Sequence, residues 1–575
     1  MWTMKYNQRY LAKPCIRLKP TCMKTFTTIN IYNSLTSKKE HLIQNEQEKN
    51  EKKILTWYSC GPTVYDDAHL GHARTYVCSD IIRRILSNSF NIDTNFIMGM
   101  TDVDDKIINK SKEMMMLNNN NNSTNTTDFL QIARKYENEF FNDMDALNII
   151  RPTSVTRVSE YIPDIIKYIE TIIDNGYGYE STNGVYFSCE QLGEQYGALA
   201  RSKLDISTDQ QVSESNNNNI KKDPRDFALW KKNNEDTNDA GWDSPWGHGR
   251  PGWHIECSAM THSIVGDSID IHSGGIDLKF PHHNNEIAQC QAHNNCMEWV
   301  DTFIHFGHVH IDGLKMSKSL KNFITIKELL GADDNGGGET KVTADDFRLF
   351  CLLHHYRSNV TYSMDRIHDA NVIRKILDGF LLDMYDLALK KQILEEEIVV
   401  DSNGTNNRKR WLESDITFFN QITNAKEEYL LSLGDDFNTP KAMQIIRDIC
   451  HNTRKHIQDY DGGVDGENIP PSELLFNIHT WVDTSLKHLG LSTIGTNHIN
   501  STNDEDETSI KNDLTLLKSF AEFRCNIRNV ARGMKKSEEK FELLDLCDHI
   551  RDDVFPKHGY QLRDDGNDEF TIRKL

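Results

Sequence analysis

The chain has 575 residues, 38% of them hydrophobic and 9% aromatic, which excludes a wholly disordered polymer and allows several cores at roughly 150 residues per domain. Lys plus Arg number 65 against 86 Asp plus Glu, a net charge of −21, so the surface as a whole repels polyanions and any nucleic-acid contact needs a local basic patch. No apolar run reaches the ~18 residues of a membrane-spanning helix, and the 12 cysteines include no Cys-x-x-Cys pair and no secreted disulfide framework.

In chain order, residues 1–39 contain no acidic residue and eight basic ones. That composition predicts a transit peptide addressed to the mitochondrial matrix; a solvated basic arm on a cytoplasmic protein is the alternative. Ile54 to Ser59 (ILTWYS) predicts a strand, with a turn at Cys60-Gly61-Pro62. Val77, Ile81, Ile82, Ile85 and Leu86 recur at helical spacing, and Thr94 to Met100 predicts a second strand. Strand, helix, strand over about 45 residues is a βαβ unit, hence a parallel sheet. Thr302 to Ile311 predicts a later strand of that sheet. Polar runs at 118–127, 216–219, 334–338, 402–407 and 495–508 predict loops. Beyond about residue 365 strand signals fade, and segments such as Ile373–Leu389 and Leu514–Val530 carry the helical period. The expected class is α/β. A Rossmann-like parallel-sheet domain occupies 40–365, with an insertion at about 117–240. A helical bundle follows at 366–500 and a C-terminal region at 510–575.

The first strand–helix turn reads CGPTVYDDAHLGHAR, Cys60 to Arg74. His69 and His72 lie on one face at a helix start, where free N–H groups favour an anion. Gly71 allows a flat ligand close to the backbone. The arrangement suits phosphate and purine; a metal-binding pair or two surface histidines are the alternatives. Lys315-Met-Ser-Lys318-Ser319 follows the last predicted strand. Its two lysines suit a mobile clamp on a departing pyrophosphate, or else only a solvated basic turn. Cys60, Cys257, His282 and Glu286 make a plausible zinc set, with His282 and Glu286 on one helical face after Pro281. Spacing alone does not select Cys60, and His283 competes with His282.

The His-x-Gly-His and KMSKS strings, in this order, resemble the two nucleotide-binding signatures of class I aminoacyl-tRNA synthetases. CGPTVYDDAHLGHAR, TDVDDKI, DPRDFALWK, GWHIECSAM, DLKFPHHNNEIAQ, YRS and DDFNTP resemble motifs of the cysteinyl-tRNA synthetase family within that class. The resemblance runs from about Ile54 to the C-terminus, apart from the Asn-rich runs. Asn284 and Lys321 stand where that family often has an acidic residue and a glycine. The resemblance implies an ATP-dependent ligase that forms cysteinyl-adenylate and passes cysteine to tRNA(Cys). It implies His69, His72, Lys315 and Lys318 in catalysis, and His69, Gly71, His72, Gly274, Gly275, Asp277 and Lys318 around ATP. It implies Gly61, Thr101 and Trp253 around the amino acid. It implies one Zn²⁺ per chain on Cys60, Cys257, His282 and Glu286, and Mg²⁺ with ATP. A metal–thiolate contact distinguishes thiol from hydroxyl better than shape does, so no editing domain is expected. The other cysteines (Cys78, Cys189, Cys290, Cys296, Cys351, Cys450, Cys525 and Cys547) are expected to pack as small hydrophobes.

The resemblance further assigns anticodon binding to the C-terminal region. There Arg524, Arg528, Arg532, Lys535 and Lys536 recur at helical spacing, and with Arg357 they suit phosphate contacts. A solvated helix face is the alternative reading of that charge pattern. Two other functions compete: a ligase joining cysteine to an amino-sugar, and a non-catalytic RNA-binding relative. The long segment past 365 weighs against the first, and the intact signatures against the second. Oligomeric state has no signature in the sequence.

Overall fold

The computed structural model describes residues 28–42, 54–117, 126–200, 221–233, 240–296, 298–311, 314–315, 323–331, 342–397, 411–460, 469–492, 520–521, 523–534, 538–557, 560–566 and 569–574. The chain divides into two compact units. The first comprises residues 1–377, 409–470 and 484–491; the second comprises 378–408, 471–483 and 492–575.

The first unit begins with a short hairpin, β1 (Asn30–Asn33) and β2 (Lys38–His41). Its centre is a parallel sheet of β3 (Ile54–Thr63), β4 (Asp93–Thr101), β5 (Ser154–Arg157), β10 (Ile269–Gly275) and β11 (Val300–Phe306). The order is β11-β10-β3-β4-β5, with every pairing parallel. Central strands of such a sheet are covered on both faces, so they read as near-continuous apolar runs. Thus Trp57 and Tyr58, neighbours on β3, are both fully buried. Helix α1 (Leu70–Phe90) follows β3 and ends at left-handed Asn91. The chain leaves β3 toward β4 on one side, while β10 flanks β3 on the other. The carboxyl ends of β3 and β10 therefore border a topological switch point, where α/β sheets open a ligand crevice.

Several expectations are corrected here. The predicted insertion at 117–240 contains β5, a strand of the main sheet. Only β6 (Gly178–Ser181), β7 (Gly184–Phe187) and β8 (Phe227–Lys232), with β9 (Gly249–Pro251), form a separate antiparallel sheet. The strand predicted at 302–311 breaks at Gly307, where a Cβ would meet the Ser358 carbonyl oxygen at 2.3 Å. Its second half, β12 (Val309–Ile311), joins β13 (Leu314–Lys315) and β14 (Val360–Tyr362) in a small sheet. The boundary at residue 39 cuts through the β1–β2 hairpin, which is tied to the first unit. Asn33 Nδ2 donates to the Asp301 carbonyl at 2.8 Å, Phe303 N donates to Asn33 Oδ1 at 3.2 Å, and Tyr32 N donates to Asp436 Oδ1 at 2.9 Å.

The C-terminal half is helical, as expected, through stretches such as Met364–Glu397, Glu413–Gly434, Thr439–Gln458 and Ser472–His488. It nevertheless ends in a β-hairpin, β15 (Tyr560–Gly566) with β16 (Glu569–Lys574). Within the second unit Arg524 is fully buried, and its Nη1 donates to Asp564 Oδ1 at 2.6 Å. Arg528 pairs with the same carboxylate. These two arginines are committed to ion pairs within the second unit. Lys535 and Lys536 lie outside the described residues. In the first unit Arg357 Nε donates to Asp436 Oδ2 at 2.9 Å, and its guanidinium sits 4.5 Å from the centre of the Tyr32 ring. Of the cysteines expected to pack, Cys296 is exposed and Cys525 half-buried; the other six are buried.

Candidate active site and metal centre

A cleft of about 450 Å³ opens at the carboxyl ends of β3 and β10. It brings together Cys60 and Gly61 from β3, His69, Gly71 and His72 from the start of α1, and Thr101 from the end of β4. Trp253 and Cys257 come from helix α2 (Trp253–Val265), and Gly275, Asp277 and His282 from the stretch after β10. Gly274 lies just behind, where a Cβ would meet the ring of His283 at 2.9 Å. Gly61 also has no room for a side chain, since its Cβ would lie 2.3 Å from the Gly99 carbonyl oxygen.

The helix start fixes both signature histidines. His69 is the N-cap of α1, and its Nδ1 accepts from Gly71 N at 3.1 Å and His72 N at 3.4 Å. His72 Nδ1 in turn accepts from His69 N at 3.3 Å. The rings stack with centres 3.8 Å apart. Burial lowers His69 to about 4, with the Asp277 charge opposing, and holds His72 well below the usual imidazole range. Both rings are therefore neutral near pH 7. With Nδ1 occupied as an acceptor, each carries its single proton on Nε2. The pair is a set of hydrogen-bond donors, not of cations.

Lys315 ends β13, whose backbone pairs with His310 on β12. Lys318 lies outside the described residues. Past it the chain is fixed again beside α1: Leu70 N donates to the Ile324 carbonyl and Ile326 N to the Ala68 carbonyl, both at 3.0 Å. Lys315 before the signature and Ile324 and Ile326 after it thus pair with elements that border the cleft.

At the cleft floor the ligand atoms of Cys60, Cys257, His282 and Glu286 lie within 4.8 Å of one another, all buried. Cys60 Sγ is 3.7 Å from Cys257 Sγ and 3.6 Å from Glu286 Oε1, and His282 Nε2 is 3.0 Å from that same oxygen. Burial pushes the Cys60 thiol up, and Cys257 beside it adds to this. The hydrogen bond from Cys60 brings the Cys257 thiol down to about 6. Burial alone would raise the Glu286 carboxyl, but the His272 and His282 imidazoles hold it well below its usual range. Burial alone would lower His282, but Glu286 and Cys257 raise it to about 10. Two buried thiols, an imidazole and a carboxylate converging on one point are a set that could hold a metal ion. A second set shares two of its members: Cys60, His272, His283 and Glu286 also lie within 4.8 Å. Phe280 is extended, and the helical turn expected at Pro281 follows it, so His282 meets Glu286 four residues on.

Sequence reasoning missed the histidines around this centre. His272 Nε2 lies 2.9 Å from Glu286 Oε2 and its Nδ1 3.2 Å from the Tyr58 carbonyl. His254 Nδ1 lies 3.1 Å from His282 Nδ1. The available signal was a histidine inside an otherwise apolar strand (IDIHSGG) and another at the start of an apolar helix (WHIECSAM). Among the described residues no helix is long and apolar enough to cross a membrane.

Comparison with known proteins places the chain. Residues 46–372 match the family model described as the tRNA synthetases class I (C) catalytic domain. A cytoplasmic cysteine–tRNA ligase of Dictyostelium discoideum is 37% identical over 561 residues, 95% of this chain and 77% of that protein. A probable mitochondrial cysteine–tRNA ligase of Xenopus tropicalis is 37% identical over 566 residues, covering 94% and 89%. A cysteine–tRNA ligase of Encephalitozoon cuniculi is 35% identical over 548 residues, covering 95% and 99%. Among solved structures, Mycobacterium tuberculosis methionyl-tRNA synthetase bound by methionyl-adenylate shares the fold with TM-score 0.54 at 13% identity, covering 76% of this chain and 90% of that one.

Proposed function

The chain belongs to the cysteine–tRNA ligase family of the class I aminoacyl-tRNA synthetases, and from that premise we propose how its own residues do the work of an ATP-dependent ligase. The substrates are L-cysteine, ATP with Mg²⁺, and tRNA(Cys). The observation that carries the reading is a soft donor set at the floor of a cleft whose rim carries two neutral, oriented imidazoles.

In the first step the cysteine carboxylate attacks the α-phosphorus of ATP and pyrophosphate leaves. This needs positioning and charge stabilisation more than side-chain proton transfer. His69 and His72 donate from Nε2 to phosphate oxygens, and the N-terminus of α1 adds its own N–H groups. Gly71 and Gly275 let adenosine lie against backbone, Gly274 behind them makes room for the His283 ring, and Asp277 accepts from the ribose hydroxyls. Lys315 and Lys318 meet the charge on the departing pyrophosphate. In the second step the terminal ribose hydroxyl of tRNA takes the cysteinyl group.

Gly61, Thr101 and Trp253 line the amino-acid pocket, above Cys60, Cys257, His282 and Glu286. We assign zinc to these four residues. For zinc bound at the usual lengths, a tetrahedral site has a sulfur–sulfur edge of about 3.8 Å and a sulfur–oxygen edge of about 3.5 Å. The 3.7 and 3.6 Å separations support that assignment. His282 Nδ1 lies 3.1 Å from His254 Nδ1, so Nε2 is the nitrogen that would face the ion. Bound zinc supplies a Lewis acid that takes a thiolate far more readily than a neutral hydroxyl. The basic segment ahead of residue 28 is proposed as a mitochondrial leader, and fluorescence localisation of the full chain against one starting at residue 28 tests it.

The deciding experiment is transfer of labelled cysteine to tRNA by the purified chain with ATP and magnesium. Serine and a chelated sample run alongside. Cysteine charging that is lost on chelation supports the whole reading. Serine charging by zinc-loaded protein refutes the metal's role in selection. Adenylate formation without tRNA charging points instead to the amino-sugar ligase.

A further inference from the structure

One buried carboxyl beside the cleft has no role in the scheme above. Glu256 lies in α2, between cleft-lining Trp253 and Cys257, yet its own side chain is turned away and is only 2% exposed. Burying a carboxyl is costly unless its oxygens are engaged. Its side-chain partner is Thr101, whose Oγ1 donates to Glu256 Oε2 at 3.3 Å. Burial pushes its carboxyl well above the usual range, the negative charges of Cys257, Asp104 and Asp102 add to this, and the hydrogen bond from Thr101 opposes it.

The consequence falls on Thr101, which is buried at the end of β4 and lines the cleft. A hydroxyl has one hydrogen to give and two lone pairs. While its hydrogen is given to Glu256 Oε2, Thr101 offers lone pairs on its cleft side. The part of a free amino acid that donates, and that ATP lacks, is the α-ammonium.

We propose that Glu256 is a positioning residue that locks the Thr101 hydroxyl as an acceptor for the substrate's α-ammonium. The inference rests on the reading that this cleft takes a free amino acid. It adds a second selection to that of the metal: the metal tests the thiol, and the Glu256–Thr101 pair tests the amine.

The test compares Glu256→Gln, which keeps an acceptor, with Glu256→Met, which has similar length and none. Thr101→Val and the double variant Glu256→Met/Thr101→Val complete a cycle. Cysteine KM and kcat in ATP–pyrophosphate exchange are read together with bound zinc and with the affinity for 3-mercaptopropionate, which has thiol and carboxylate but no amine. The expected result is a cysteine KM raised about tenfold in Glu256→Met and in Thr101→Val, no further rise in the double variant, and Glu256→Gln within about threefold of the parent. Zinc content and 3-mercaptopropionate affinity stay at the parent value. An equal loss of 3-mercaptopropionate binding, multiplying effects in the double variant, or an unchanged KM in Glu256→Met overturns the inference while leaving the ligase reading intact. Failure of the parent chain itself to bind cysteine overturns both. If Glu256→Met does not fold, Thr101→Val alone decides: unchanged discrimination between cysteine and 3-mercaptopropionate overturns the inference.

Discussion

Replacing His69 by alanine removes two functions at once, and the structure says how to separate them. The first is the helix cap: two backbone N–H groups, at 3.1 and 3.4 Å from Nδ1, lose their acceptor. Losing an N-cap costs about 1 kcal/mol, or ~1 °C in melting temperature for a unit of this size. The second is the Nε2–H donor facing the cleft. One donor to a developing phosphate charge is worth roughly 1.5–3 kcal/mol, or about ten- to a hundredfold in rate. Serine caps a helix as well as any residue but is too short to reach where Nε2 reaches. His69→Ala is therefore expected to lose both stability and exchange rate, and His69→Ser only the rate. The assay is ATP–pyrophosphate exchange at saturating ATP and cysteine, alongside thermal unfolding. A His69→Ser protein with the parent's exchange rate would refute the donor role. An unchanged melting temperature in His69→Ala would refute the cap.

The same residue gives a pH prediction. His69 titrates at about 4 when folded and near ~6.5 when unfolded, so the unfolded chain takes up its proton first as pH falls. Its contribution is complete above ~6.5 and is lost toward 4, at most about 3 kcal/mol, so a plot of unfolding free energy against pH should be shallower in His69→Ser over that window. A chain starting at Glu40 loses β1 and the Asn33 and Tyr32 contacts; calorimetry against the full chain should show a loss of about 3 kcal/mol or more, and equal melting points would remove the hairpin from the fold. Arg524→Ala removes a buried guanidinium that helps hold the Asp564 carboxyl at about 2, leaving that carboxylate to Arg528; it should open the second unit to protease at a cost of about 1.5–3 kcal/mol. Weakened tRNA binding with protease resistance intact would instead make Arg524 an RNA contact.

The parts of the fold legible in the sequence were those whose signal is local. The β3–α1–β4 unit showed itself through a short apolar run, a helical period and a second apolar run, all within one stretch. Arg524 and Arg528 were misleading because charge pattern does not show a partner. Asp564 sits 40 residues past Arg524, on a hairpin strand that followed helical sequence and gave no strand signal. β5 was hidden for a related reason: four residues, SVTR, are too few to display a period. Thr302–Ile311 read as one strand because its apolar alternation runs on through Gly307, and only the close approach of the 357–358 backbone breaks it.

The choice between His282 and His283 shows where sequence reasoning stops. Spacing treats them as near equals, because on a regular helix either reaches Glu286 within one turn. Their surroundings remove that equivalence, since successive helical residues point about 100° apart. His282 faces Cys257, and His283 faces His305, whose Nε2 lies 2.8 Å from His283 Nδ1. In the proposed centre the two donor sets then differ in chemistry as well as position. The set with His282 brings two sulfurs and a carboxylate, and a soft cation gains most where thiolates are most numerous. The set with His283 has one sulfur, and its other imidazole, His272, already spans Glu286 Oε2 and the Tyr58 carbonyl. His272 is thus better placed to orient Glu286 than to replace Cys257, since a carboxylate that ligates through one oxygen is steadied by a hydrogen bond on the other.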